Sequence, residues 1–361
     1  MADIEHLIED LLNENPVTRM SAAIALNEAA NSGQDISLSY HTLRILLHDA
    51  DKEVRYASAE ALSHRFKSKG DANLEKHGKK LEVFKESSNE EKLRTISWVA
   101  SIVTQDKEAC AEDKCIEFAL PMIAISLFDK DIGIVLAALK AIKVAANDGQ
   151  DVVDVIPSVV KLLSSEQDEV RKQASVVLQQ IAINEVDLTD HLPILYHHLF
   201  SSHNSVKFGV ADALTYFYAI NGDWYEVKKL LNHKDKDVRQ EAAGTLAQGN
   251  KIDLEQIFPD VKKLLADDNE DVQIVAAKTI AKGAKEIKDI KLILPIVKEQ
   301  LSSSKDDNRV YAARIVEEIF KDKPEDMQGS LEPLMLDFEL RLTAEQNPKI
   351  KEIVARVLLS C

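Results

Sequence analysis

The residues of this chain that could do chemistry fall into four groups. The first is the stretch Asp190-His191-Leu192-Pro193-Ile194-Leu195-Tyr196-His197-His198. On a helix His191 and His198 stand two turns apart, about 10 Å, too far to share one metal ion. No H-x3-H or H-E-x2-H spacing accompanies them, so they read as surface or packing histidines. The second group is Cys110, Cys115 and Cys361, and the C-x4-C pair lacks the two further ligands that zinc needs. Reduced thiols of a cytoplasmic protein are the expectation. The third group is a set of recurring arginines, Arg19, Arg55, Arg94, Arg171, Arg239 and Arg309. Such a set could grip an anionic ligand, but each Arg stands beside recurring Asp, which favours a structural ladder of ion pairs between turns. The fourth is aromatic: eight of the chain's Phe, Tyr and Trp residues fall within 196–225. There Phe208, Asp212 and Tyr216, spaced four apart, put two aromatics around a carboxylate on one helical face. The chain has no Gly-rich phosphate loop and no G-x-S-x-G elbow. No catalytic, metal or cofactor site is expected.

An internal repeat positions these residues. One phrase recurs: an aliphatic residue, Arg, two variable residues, two small residues, two more variable residues, then an aliphatic residue. It reads Val54-Arg55-Tyr56-Ala57-Ser58-Ala59-Glu60-Ala61-Leu62, and returns from Val170, Val238, Val272 and Asn308. Weaker copies start at Thr18, Leu93, Ile134, Val206 and Ile350, giving about ten copies spaced 32 to 42 residues apart. Lys207 and Lys351 stand at the Arg position in two of them. Pro121, Pro157, Pro193, Pro259 and Pro295 each lie 13 residues before a copy and open an apolar run. Pro suits the first turn of a helix, where its missing N–H costs nothing. Between the two runs lies an acidic turn, such as Asp49-Ala50-Asp51 or Asp235-Lys236-Asp237. Acids there cap the next helix and meet its positive end. The predicted unit is helix, acidic turn, helix, linker, and one such hairpin buries its apolar face only by stacking on another.

Counted from each start, steps 0, 4, 8 and 11 share the apolar face of the second helix, and small residues at steps 4 and 5 allow close approach. Steps 2, 6 and 10 point the other way. Phe208, Asp212 and Tyr216 occupy these in the sixth repeat and are expected in solvent. Step 2 along the chain reads Met20, Tyr56, Thr95, Leu136, Lys172, Phe208, Gln240, Ile274, Val310 and Glu352. Two accounts compete for its apolar members. They pack against the adjacent repeat, or they form a discontinuous groove for a partner segment. The groove would be anchored by Phe208 and Tyr216, continued by Tyr56, Leu136 and Ile274, and rimmed by Lys140, Lys172 and Asp212.

The Pro of the first helix, the Asp of the turn, and the Val-Arg, Ala-Ala and Leu of the second helix resemble the HEAT-repeat family over nearly the whole chain. The resemblance implies an all-α fold, a right-handed superhelical α-solenoid of about ten hairpins over 1–361, with the second helices lining its concave side. The third repeat, about 67–104, departs most. Its first helix is expected within 73–85, without the Pro, Trp98 replaces a small residue, and a polar loop is expected over 105–114. The family is mostly binding scaffolds with a few enzymes. Deoxyhypusine hydroxylase carries repeated His-Glu pairs, and this chain has no His-Glu dipeptide. HEAT-like DNA glycosylases use a basic groove, whereas Lys and Arg number 45 here against 61 Asp and Glu, a net charge of −16. Chromophore (bilin) lyases have no short motif to test and stay open as the alternative.

Length and composition set the remaining bounds. The 361 residues are 45% hydrophobic, with only 11 Gly and 9 Pro, which excludes collagen-like and disordered classes and argues against an all-β fold. The acidic balance speaks against nucleic acid, and no apolar run approaches the ~20 residues of a membrane span. The expected function is a non-catalytic, cytoplasmic protein–protein scaffold or adaptor. Its partner would carry basic or amphipathic segments, with no nucleic acid, no membrane insertion and no cofactor.

Overall fold

The computed structural model describes residues 2–67, 84, 86–105, 115–249, 253–283, 294–321, 336, 340 and 344–359. The fold is an all-α solenoid, and the described residues contain no strand. The helices alternate as first and second members of hairpins. The opening hairpins are α1 (Ile4–Leu11) with α2 (Pro16–Asn31) and α3 (Tyr40–Leu46) with α4 (Lys52–Lys67). α5 (Asn89–Gln105) is the second helix of the third repeat. The next three hairpins pair α6 (Cys115–Ser126) with α7 (Ile132–Asn147), α8 (Ile156–Leu162) with α9 (Asp168–Ile183), and α10 (Leu192–His198) with α11 (Asn204–Ile220). Then come α12 (Trp224–Leu231) with α13 (Lys236–Gln248), α14 (Leu254–Leu264) with α15 (Glu270–Gly283), and α16 (Leu294–Leu301) with α17 (Asp306–Lys321). α18 (Pro348–Leu359) is the last second helix. The expected first helix of the third repeat and most of the loop at 105–114 lie outside the described residues, as do Cys110 and Cys361.

The contacts divide the chain into two compact units, Met1–Val210 and Ala211–Cys361. In the first, α2 packs on α4, α5 on α7 and α7 on α9; in the second, α13 packs on α15, α15 on α17 and α17 on α18. The small-residue positions bring these helices together. A Cβ on Gly209 would lie 2.5 Å from that of Ser175, so α9 and the start of α11 meet at van der Waals contact only because no side chain intervenes. In the second unit the Thr279 hydroxyl donates to the Ala243 carbonyl of the preceding second helix at 2.7 Å.

The turns explain where each second helix begins. Asn15, Asp51, Asp131, Asp235 and Asn269 each accept a backbone N–H of the first helical turn. The third repeat starts earlier than expected. Ser88 caps α5 in a reciprocal pair with Glu91, the Ser88 N–H donating to Glu91 at 2.9 Å and the Glu91 N–H donating back to Ser88 at 3.4 Å. This puts the start of that copy at Glu91, two residues before Leu93.

The prolines need a second correction. Pro157 and Pro193 stand in the first turn of α8 and α10, and Pro295 is the second residue of α16. Pro121 and Pro259 lie inside α6 and α14. Before α8 and α10 the chain winds a short 3-10 turn, Val153–Val155 and Thr189–His191. In α6 and α14 the helix begins before the Pro and continues through it, so the same repeat position becomes interior.

α6 is the unusual element. It packs against α4, α5 and α7 and against the Val153–Val155 turn. Every residue from Leu120 to Leu127 is buried, and Ser126 satisfies its hydroxyl on the Met122 carbonyl at 2.7 Å. A helical stretch that is apolar on all sides belongs in an interior, and Leu120–Leu127 is enclosed.

Candidate interaction face on the second helices

The recurring cations are held within the turns. Arg19 donates to Asp49 of the next turn through Nε at 2.7 Å and Nη2 at 2.9 Å, and to the carbonyls of Asn13 and Glu14 in its own turn. Arg239 does the same with Asp267 at 2.7 and 2.8 Å and with the His233 and Lys234 carbonyls. Arg309 reaches Glu345 at 2.9 and 3.1 Å and the Ser303 carbonyl. Each acid also accepts the N–H of the helix cap two residues on: Asp49 from Asp51, Asp267 from Asn269, Glu345 from Asn347. One carboxylate thus shapes its own turn and takes the cation of the preceding one. The charge pairing shows in the ionisation: Asp267 holds the Arg239 guanidinium above its ordinary value, and Arg309 holds the Glu345 carboxyl below its own.

Three positions depart from this pattern. Arg94, expected in the ladder, is exposed and pairs with Glu90 on its own helix. With the start at Glu91 the ladder position falls on Lys92, which is buried and bonds Asp129 at 2.9 Å. Arg55 keeps its own-turn carbonyls, at 2.7 and 3.0 Å, but lies 4.3 Å over the Phe128 ring where a carboxylate would be. Arg171 bonds the Ser165 carbonyl at 2.6 Å and Asp168 at 2.8 Å, with Ser201 at the acid position of the next turn. In both Arg55 and Arg171 the Nε is buried and without a hydrogen-bond partner. The ladder therefore offers no open row of cations to an anionic ligand among the described residues.

The aromatic stripe is less exposed than its spacing suggested. Asp212, expected in solvent, is only 7% exposed, and Phe208 and Tyr216 are half-buried. For Asp212 the neighbouring helix α13 supplies the cover. Its Thr245 hydroxyl bonds Asp212 and also donates to the Glu241 carbonyl at 2.8 Å. A hydroxyl has one proton, so when it serves the carbonyl the Asp212 carboxyl must supply the proton of the shared bond. Burial accordingly pushes Asp212 up to about 6, with the Thr245 bond pulling the other way. Burial and the nearby Asp212 raise Tyr216, and burial followed by Asp212 and Asp237 raises Glu241. These three acids form one coupled cluster in the second unit. Thr245 and Glu241 could not be found from the stripe alone, because they lie one repeat further along.

The other step-2 positions follow the same trend. Tyr56 is 5% exposed, and burial pushes its hydroxyl up to about 12. Val310 is buried, and Met20, Leu136 and Ile274 are half-buried. In the third repeat the corrected start places half-buried Leu93 at this step, displacing Thr95. Lys140 and Lys172 are exposed on the same face of the first unit. Two step-2 residues, Tyr56 and Val310, are thus buried, while the half-buried members keep one edge open. His191 and His198 make no metal cluster, and the described residues contain no group of three or more metal-ligating side chains. No described helix is long and apolar enough to cross a membrane.

No protein-family model matches the chain, and no curated protein matches it. Solved structures do. Kap121p matches at 15% identity over 99% of this chain and 41% of its own, with a TM-score of 0.53. The karyopherin Kap121p bound to the extreme C-terminus of the protein phosphatase Cdc14p matches at 15% identity over 98% of this chain and 41% of its own, with a TM-score of 0.54. Kap121p bound to Pho4p gives 15% identity, the same coverage and a TM-score of 0.52. The chain thus spans under half the length of that HEAT-repeat protein. At this identity the likeness is one of fold: the chain is a helical-repeat protein, an all-α solenoid of stacked hairpins.

Proposed function

We propose that the protein is a non-catalytic scaffold that holds an extended or helical segment of a partner protein along its second-helix face. The observation that carries this reading is the row of half-buried apolar side chains there, Met20, Leu93, Leu136 and Phe208 in the first unit and Tyr216 and Ile274 in the second. Half-burial holds a side chain in place while leaving an edge free, which suits a contact anchor. Exposed Lys140 and Lys172 would set the charge of the rim in the first unit, and half-buried Glu241 would do so in the second. The fold likeness supports the reading in kind, since Kap121p is seen bound to segments of Cdc14p and to Pho4p. A net charge of −16 favours a partner segment with basic residues.

The test is a photoreactive amino acid at Leu136, used to cross-link and identify the partner, followed by titration of that partner's segment. Phe208→Ala with Tyr216→Ala is expected to weaken binding by roughly 2–4 kcal/mol with the helical circular-dichroism signal unchanged. Loss of the helical signal would show that the rings are core, and a tetrapyrrole bound in stoichiometric amount would replace the scaffold with the lyase alternative.

A further inference from the structure

Within the first unit the second and fifth hairpins, far apart in the repeat order, meet on their first helices. Arg44 of α3 pairs with Asp154 of the Val153–Val155 turn, and His48, just past α3, bonds Ser158 of α8 through Nδ1. Ser158 is only 2% exposed, so it can serve no substrate as a nucleophile. The other ring nitrogen, Nε2 of His48, is buried and has no hydrogen-bond partner. Around the ring stand Asp154, Lys161 of α8 and His191 of the Thr189–His191 turn, with Arg44 one turn back on its own helix.

We infer that His48 is a proton-operated clasp: the neutral ring ties the second hairpin to the fifth, and a second ring proton releases it. A proton arriving at Nε2 would charge a buried ring, and the hydrogen bond that the Asp154 backbone offers the charged form is outweighed by the cost of burial. Lys161 and His191 would repel it, and the one facing carboxylate, Asp154, is already engaged by Arg44. Asp187 and Asp190 stand beside His191 and moderate its charge. Burial holds His48 below the ordinary imidazole value, with Asp154 pulling the other way. The sign follows. The open clasp takes up the proton at the ordinary value of about 6.5, and the closed one only at lower pH. Closure is therefore complete at neutral pH and weakens on acidification, by up to about tenfold per pH unit between the two values.

Hydrogen–deuterium exchange of the full chain at pH 7.5 and 4.5, corrected for intrinsic rates, tests this. Amides of α3 and α8 should lose protection in acid in the parent, by at most about tenfold per pH unit, and keep it in His48→Gln, which retains a polar side chain but cannot take a proton. Equal protection of the parent at both pH values, or the same loss in the variant, would overturn the clasp. Should His48→Gln not fold, NMR titration of the parent decides. A ring value below the ordinary range, with the Ser158 amide moving in the same titration, supports the clasp; an ordinary value, or an unmoved Ser158, sinks it.

Discussion

The stretch α12–α15 in the second unit and the stretch α3–α8 in the first are built from the same hairpin, yet they hold together differently. In α12–α15 the spacing is set at the turns: Arg239 crosses to Asp267, and the first helix α14 keeps a wet side that carries Glu255, Gln256, Lys262 and Lys263. In α3–α8 the rung at Arg55 is replaced by a cation over Phe128, shared with Lys161 at 5.3 Å, and the first helix α6 has no wet side over Leu120–Leu127. Polar turns fix a repeat distance and reproduce it. An apolar helix instead draws in whatever surface surrounds it, which is how hairpins two and five come to touch. Regularity in a solenoid is thus a property of its turns, and enclosure a property of its first helices.

That contrast can be broken most sharply at α6. Ile123 is fully buried, so Ile123→Asp places a charge in a dry interior and should cost more than about 4 kcal/mol, unfolding the first unit. At the wet face of α14, Lys262→Glu should stay within about 0.5 kcal/mol. Urea denaturation of both variants decides, and comparable costs would erase the distinction. A rung comes next. Asp267→Ala removes both the Arg239 pair and the cap bond to Asn269, and should cost about 2–3 kcal/mol by the same measurement. Asp168→Ala, whose side chain is 81% exposed beside Arg171, should cost close to nothing. The last effect is a gain. Ser201 already accepts the His203 cap N–H at 3.2 Å, the job Asp49 does for Asp51. Ser201→Asp would offer Arg171 Nε the carboxylate it lacks, and should raise stability by up to about 1 kcal/mol in thermal melts.

The legible part of this molecule was whatever repeats. Second-helix starts, caps and ladder cations each recur near 36 residues, so Arg19, Arg239 and Arg309 could be placed from one another. The third repeat was misplaced because Leu93-Arg94 imitates the Val-Arg signal, while the true start was announced by Ser88 and Glu91 as a capping pair. Asp212 was misjudged for another reason. Helical geometry gives the direction of a side chain, but its burial depends on Thr245, 33 residues away on a separate helix. The Arg44–Asp154 contact spans 110 residues and obeys no repeat at all. Period reveals the lattice of a solenoid and is silent on contacts that skip repeats.

Asp212 also makes the second unit a store for one proton. Its folded value of about 6 lies above the ordinary 3.8, so between these values the folded chain keeps a proton that the unfolded chain releases. Stability from this group is therefore full below about pH 4 and is spent as pH rises through 6, an effect of up to about 3 kcal/mol. The first unit, through His48, tightens in the opposite direction. A mildly acidic compartment would firm one half of the chain while loosening the other, so that the two units read the same change of pH with opposite sign.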